Sequence, residues 1–167
     1  MNPFKLPART LLLILFAVCS SLLGFGLYLQ HGLGLEPCPM CIMQRYAFMT
    51  VAVLALIAGL HGPGRTGQRV YLGLITLFAV VGGSIAARQS WMQLNPPEIP
   101  ECGPDLAFML DAFPLAQALP MIFSGSGDCA SIEWSFLGLS IANWSLVSFT
   151  GTVIFALWLF FRRQPGR

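Results

Sequence analysis

Charge is scarce in this sequence. Of its 167 residues, nine are Lys or Arg and seven are Asp or Glu, so charged side chains make up 10% of the chain, against roughly 25% in an ordinary soluble domain. With 56% apolar residues, that excludes a conventional water-soluble fold and sets the class as an integral membrane protein. Histidine is scarce too. His31 and His61 are the only two, and they are expected on opposite sides of the membrane, so no histidine pair offers haem ligation. Structural zinc usually draws on two close pairs of cysteine or histidine, and only one close cysteine pair is present, which argues against a metal. No flavin or nucleotide fold is recognisable. The net charge of +2 is no nucleic-acid signature, because acidic and basic residues are segregated along the chain.

That segregation is a topology signal. Apolar runs cover about 11–29, 42–60, 70–87 and 144–161, uncharged except for Arg45 near the start of the second, and an apolar run of roughly 19 residues reaches about 28 Å as a helix, enough to cross a bilayer. The first run is longer than the apolar core of a signal peptide and no small-x-small cleavage site follows it cleanly, so it reads as a retained span. The expected fold is an all-α membrane protein, a four-transmembrane-helix bundle forming a single domain over 1–167. Lys5 and Arg9, Arg65 and Arg69 in the 61–69 connector, and Arg162, Arg163 and Arg167 fall on one side, which the positive-inside rule makes cytoplasmic. The 30–41 loop and the long 88–143 loop then face outward with all seven acidic residues and four of the five cysteines, Cys38, Cys41, Cys102 and Cys129. An outward face is where disulfides persist. The fifth, Cys19, lies mid-span and reads as a small buried apolar residue.

Within the long loop, the proline-rich stretch 95–104 is expected to be an extended, mobile tether carrying Cys102. The apolar segment 113–123 is too short to span. It is expected to lie in the membrane interface as a short helix, or to pack as a small cap over the bundle. Trp134 and Trp144 are plausible interfacial anchors.

The chemistry concentrates in Glu36-Pro37-Cys38-Pro39-Met40-Cys41-Ile42-Met43-Gln44-Arg45. Two cysteines separated by two residues can close a small reversible disulfide, the usual format for redox exchange. Pro37 and Pro39 keep the pair off a regular helix until about Met40. Cys41 then falls in the first turn, where free N–H groups and the positive end of the dipole favour a thiolate. Arg45, four residues on, shares its face. Arg45 and Arg88 each sit at the outer end of a span. Either could simply snorkel to lipid phosphates, but the place of Arg45 one turn after Cys41 favours function, while Arg88 stays open.

Two readings of the cysteines compete. A 102–129 bridge could merely staple the loop, with a gain of about 3–4 kcal/mol on a chain-entropy argument. The 38–41 ring is too small to constrain much, so a reactive role suits it better. Two reactive pairs on one face suggest a relay in which thiolate attacks disulfide and the electrons end on a two-electron acceptor. A lipid-soluble quinone needs only an apolar groove, a cation and a thiolate, all of which Cys41 and Arg45 at the top of a bundle provide.

The motif Pro-Cys-x-x-Cys-Ile followed by Arg45, Met92-Gln93-Leu94 ahead of Cys102, and Ser126-Gly127-Asp128-Cys129 with Trp134 and Phe136-Leu137-Gly138-Leu139 together resemble the bacterial DsbB family of disulfide-bond formation proteins. The resemblance runs over about 31–145. It implies an inner-membrane bundle, both termini cytoplasmic and the cysteine loops periplasmic, that reoxidises a periplasmic DsbA-like thiol oxidase and passes electrons to ubiquinone or menaquinone. Cys102 would be attacked by the DsbA thiolate to form a mixed disulfide, with Cys129 as its pair. Cys38–Cys41 would reoxidise that pair, Cys41 would engage the quinone ring, and Arg45 would stabilise charge there.

One position departs from the family. Members can carry a histidine near the quinone just after the third span, and Gln89 aligns with it here. Glutamine donates a hydrogen bond but takes up no proton, which leaves Arg88 or Gln44 as the groups to compensate. Two other functions fit the same features less fully. A quinone oxidoreductase like the vitamin K epoxide reductase family has its span-top Cys-x-x-Cys late in the bundle. A non-catalytic tetraspan scaffold would keep its outer disulfides oxidised whatever the quinone supply.

Overall fold

The computed structural model describes residues 6–96, 127–132 and 134–162. Cys102, most of the proline-rich tether, the apolar segment 113–123 and Arg163 lie outside the described residues. Four long helices make the frame: α1 (Ala8–Leu33), α2 (Pro39–His61), α3 (Arg65–Leu94) and, after a short turn of helix α4 (Gly127–Ala130) and a two-stranded hairpin, α5 (Ile141–Phe161). All four are long and apolar enough to cross a membrane. The chain is an all-α, four-helix membrane protein.

Local chemistry sets the helix ends. Pro39 occupies the first turn of α2, where its missing N–H costs no hydrogen bond, and Cys38 is the N-cap, its sulfur accepting from the Cys41 N–H at 3.4 Å. Helices α1 and α2 stop at Gly34 and Gly62, both left-handed, with φ of 69° and 58°, a C-terminal position that glycine fills without a Cβ penalty. Helix α3 runs past the apolar stretch 70–87 to Leu94, so the first residues of the expected 88–143 loop are helical. Loss of apolar character marks the edge of a membrane, whereas the helix continues until a breaker arrives, here Pro96. Arg88, Gln89 and Gln93 are therefore fixed on a rigid element.

The hairpin pairs β1 (Ser135–Phe136) with β2 (Leu139–Ser140), Phe136 opposite Leu139. Its two-residue tip, Leu137 and Gly138, has φ of 54° and 76°. Two consecutive positive φ values are those of a type I′ turn, whose twist suits a tight hairpin. Ser140 then caps α5, accepting from the Asn143 N–H at 3.3 Å.

Helix α2 packs between α1 and α3, and α3 packs on α5. The interior is built from small and aliphatic side chains, among them Ala47, Val51, Ala55, Ile75 and Ala79, with Cys19 buried in it. Small residues allow the close helix approach on which packing in lipid depends. At Gly82 a Cβ would collide with the Phe149 ring and lie 2.8 Å from Ala47 Cβ. Phe149 in turn stacks on Phe48 with centroids 3.9 Å apart. Large apolar side chains such as Ile14, Val18, Leu77, Val80 and Ile154 point outward, as a lipid-facing surface requires. At the end opposite the cysteines, Arg9 donates to Gly59 O and Leu60 O at 2.7 and 2.9 Å, and Arg162 donates to Leu6 O at 2.9 Å.

Candidate functional site

A cavity of about 620 Å³ opens among α1, α2, α3 and α5 at the end of the bundle that carries Cys38 and Cys41. Leu22, Leu29 and Phe48 furnish part of its apolar wall, with Trp134, Phe136 and Trp144 on the hairpin side. The Trp134 ring meets Phe25 edge-on at 5.6 Å and stacks over Phe136 at 6.1 Å, while Trp144 Nε1 donates to Phe136 O at 3.1 Å. The cavity's polar lining includes Cys38, Cys41, Gln44, Arg45, Gln89 and Gln93, together with Glu36 and the serines Ser131, Ser140, Ser145 and Ser148.

The sulfurs of Cys38 and Cys41 lie 2.8 Å apart, not bonded, beside the roughly 2.05 Å of a closed disulfide. Both receive hydrogen bonds from one amide. Gln89 Nε2 is 3.3 Å from Cys38 Sγ and 3.2 Å from Cys41 Sγ. The oxygen of that amide lies 3.7 Å from Cys41 Sγ and accepts from Gln44 Nε2 at 2.7 Å. Gln44 and Gln89 are each only 3% exposed, so little of the amide chain is open to competing water.

Cys129, fully buried, packs with Cys38, Met40, Ile85 and Met92 into a small second core. Hydrogen bonds with Cys129 and then with Cys41, followed by burial, push the Cys38 thiol well above its ordinary range. Cys38 thus stands between Cys129 on one side and Cys41 on the other.

Arg45 lines the cavity, but its guanidinium is turned to α1, donating to Gln30 Oε1 and to Gly26 O at 2.9 Å. It ties α2 to α1 and holds a positive charge at the wall without touching either sulfur. Arg88, one position before Gln89, is exposed and does not line the cavity. Cys102 lies outside the described residues.

The family described as Disulfide bond formation protein DsbB matches residues 8–159. The chain is 63% identical to the Disulfide bond formation protein B of Aromatoleum aromaticum over 166 residues, 99% of this chain and 100% of that one. Its identity to the protein of the same name from Azoarcus sp. strain BH72 is 65% over 156 residues, covering 93% and 94% of the two chains. A third, from Chromobacterium violaceum, is 45% identical over 155 residues, 92% of this chain and 93% of that one. The chain belongs to the DsbB family.

In this DsbB-family chain, then, the sequence-selected residues Cys38, Cys41, Gln44, Arg45 and Gln89 converge on one cavity wall, with Cys129 behind Cys38. Sequence reasoning missed Gln30, which holds Arg45, and Gln93, which accepts from the α5 cap Ser140. Trp134 and Trp144, expected as interfacial anchors, also line the cavity, a role the sequence did not indicate. A polar residue near the end of an otherwise apolar run, as Gln30 is, was the available signal for the first.

Proposed function

We propose that this protein is a quinone-dependent protein-thiol oxidase of the bacterial inner membrane, which reoxidises a periplasmic DsbA-like thiol oxidase and delivers the electrons to the membrane quinone pool. The observation that carries the reading is the position of the Cys38–Cys41 pair between Cys129 and an apolar cavity.

The steps are thiolate–disulfide exchanges. A thiolate of the partner attacks Cys102, forming a mixed disulfide and releasing Cys129 as a thiolate. Cys129 attacks Cys38 Sγ, so the Cys38–Cys41 bond breaks, a Cys38–Cys129 bond forms, and the electron pair stays on Cys41. The second thiolate of the partner resolves the mixed disulfide. Cys102 then attacks Cys129, so that the 102–129 bond is restored and Cys38 and Cys41 are both left reduced. The burial of Cys129 supports Cys102 as the partner-facing residue.

The cavity suits the ring of ubiquinone or menaquinone: it is apolar and aromatic, Cys41, Gln44 and Gln89 line it, and Arg45 sets a positive charge at its wall. A bound quinone would supply the two-electron acceptor that returns Cys38–Cys41 to the disulfide. For the protein, the task is to hold the ring against Cys41 Sγ, to stabilise negative charge near Arg45, and to keep water out with Trp134, Phe136 and Trp144. Arg88, exposed at the membrane edge, suits a lipid or quinone-entrance contact better than the ring itself.

The test is quinone reduction by the purified protein in detergent, with a reduced DsbA-like dithiol as donor. Quinone loss that needs both the donor and Cys41 is expected, and Cys41→Ser should abolish it. No loss with either quinone type, while the outer cysteines stay oxidised, would turn the reading toward a tetraspan scaffold.

A further inference from the structure

The Gln89 amide is placed where a developing negative charge on sulfur needs a donor, and Gln44 fixes which end of that amide faces the sulfurs. Gln89 Nε2 lies 3.3 and 3.2 Å from the two sulfurs, and its oxygen is engaged by Gln44 Nε2 at 2.7 Å. A sulfur in a disulfide or a thiolate has no proton to give, so the amide end that meets it must be the N–H₂. With Gln44 donating to Oε1, the reversed amide would set donor against donor on that side and oxygen against the sulfurs on the other. We propose that Gln89 is a catalytic residue of the disulfide relay, stabilising the Cys41 thiolate as it leaves, and that Gln44 is the positioning residue that holds the Gln89 amide in its donating orientation.

The proposal rests on the thiol-oxidase reading and adds to it the groups that stabilise the leaving Cys41 thiolate. When Cys129 attacks Cys38, the 38–41 bond breaks and its electron pair goes to Cys41, where the Gln89 N–H faces the new charge. No proton moves in that step. Because an amide does not titrate, this chain holds the thiolate by a fixed dipole.

Among the described residues, other charges near Cys41 are few. Cys38 comes from the turn before α2 and Cys129 from α4. Glu36 and Arg45 line the same cavity, the latter turned to α1, and α1 and α5 bring no titratable side chain to the lining.

The experiment uses the full chain, reduced, in detergent, and follows iodoacetamide alkylation of Cys41 against pH by peptide mass spectrometry. Gln89→Met keeps the volume and removes the donor. It should move the midpoint of the profile upward by about one unit and lower the alkylation rate about tenfold at pH values below the parent midpoint. Gln44→Met should shift the midpoint in the same direction by less, and should add nothing in the Gln89→Met background, which a merely structural role for Gln44 would not produce. Should Gln89→Met lose its helical signal, Gln89→Asn withdraws the amide by one methylene and should give the same shift. A Cys41 profile superimposable on the parent in a folded Gln89 variant would overturn the proposal, as would equal, additive effects of Gln44→Met in both backgrounds. The readout needs neither quinone nor partner, so its failure is separable from failure of the thiol-oxidase reading.

Discussion

Cys38 and Cys41 are unequal although only two residues separate them. Cys38 is buried, hydrogen-bonded to Cys129 and held as a thiol, whereas Cys41 is half-buried and lines the cavity. In the reduced protein at neutral pH, iodoacetamide is expected to label Cys41 well ahead of Cys38. Because the bond with Cys129 is the leading cause of the upward shift at Cys38, Cys129→Ala should raise the Cys38 labelling rate several-fold, and the Cys38 rate should climb at lower pH than in the parent. Peptide mass spectrometry after timed quenching reads both. Arg45 poses a different residue-scale question, since its guanidinium bridges to Gln30 and Gly26. Arg45→Lys keeps the charge but cannot reproduce a planar two-sided contact. In steady-state quinone reduction, Arg45→Lys and Arg45→Met should both raise the KM for quinone, the latter by about tenfold on the scale of a lost charged hydrogen bond. Alkylation of Cys41 should change little in either, because Arg45 does not touch the sulfurs.

At the scale of elements, the α3–α5 contact depends on the missing side chain of Gly82. Adding even a methyl there drives it into the Phe149 ring and toward Ala47. Gly82→Ala should cost about 1–3 kcal/mol, the usual range for overpacking, seen as a lower midpoint of thermal unfolding by circular dichroism. Phe149→Leu in the same background should recover part of the loss. Nothing in the sequence singles out Gly82 from the adjacent Gly83, because the clash is a property of a ring on another helix. The spans themselves were legible, since the absence of charge over some twenty residues has one main physical cause. So was the Cys-x-x-Cys at a helix start, because proline and the cap act within a few residues. The reach of α3 to Leu94 was not, since membrane exit and helix termination are separate events. Nor was the link from Gln44 to Gln89, forty-five residues apart, which follows only from how α2 and α3 rotate against each other. The hairpin at 135–140 escaped notice because a leucine occupies the left-handed position before Gly138, where Asn or Asp is the usual signal.

The whole molecule has two chemically different ends. Every acidic residue falls in the segments 30–41 and 88–143, while the 61–69 connector and both terminal segments carry basic residues and no acid. Cys38, Cys41, Cys129 and the cavity belong to the first end. At the other, Arg9 and Arg162 both donate to backbone carbonyls. They close that end of the bundle as well as marking it, and their charge is kept out of the hydrocarbon, where an arginine is costly. The proposed orientation, with the arginine end cytoplasmic and the cysteine end on the oxidising side, follows the positive-inside rule and is the one the proposed thiol-oxidase role requires. Reporter fusions check this directly. A fluorescent protein joined after Arg167 should mature in the cell, and alkaline phosphatase at the same point should stay inactive for want of its disulfides. Active phosphatase there would put the C-terminus outside and, with four spans, the Cys38–Cys41 cavity in the reducing cytoplasm, where the relay could not run in the direction of oxidation.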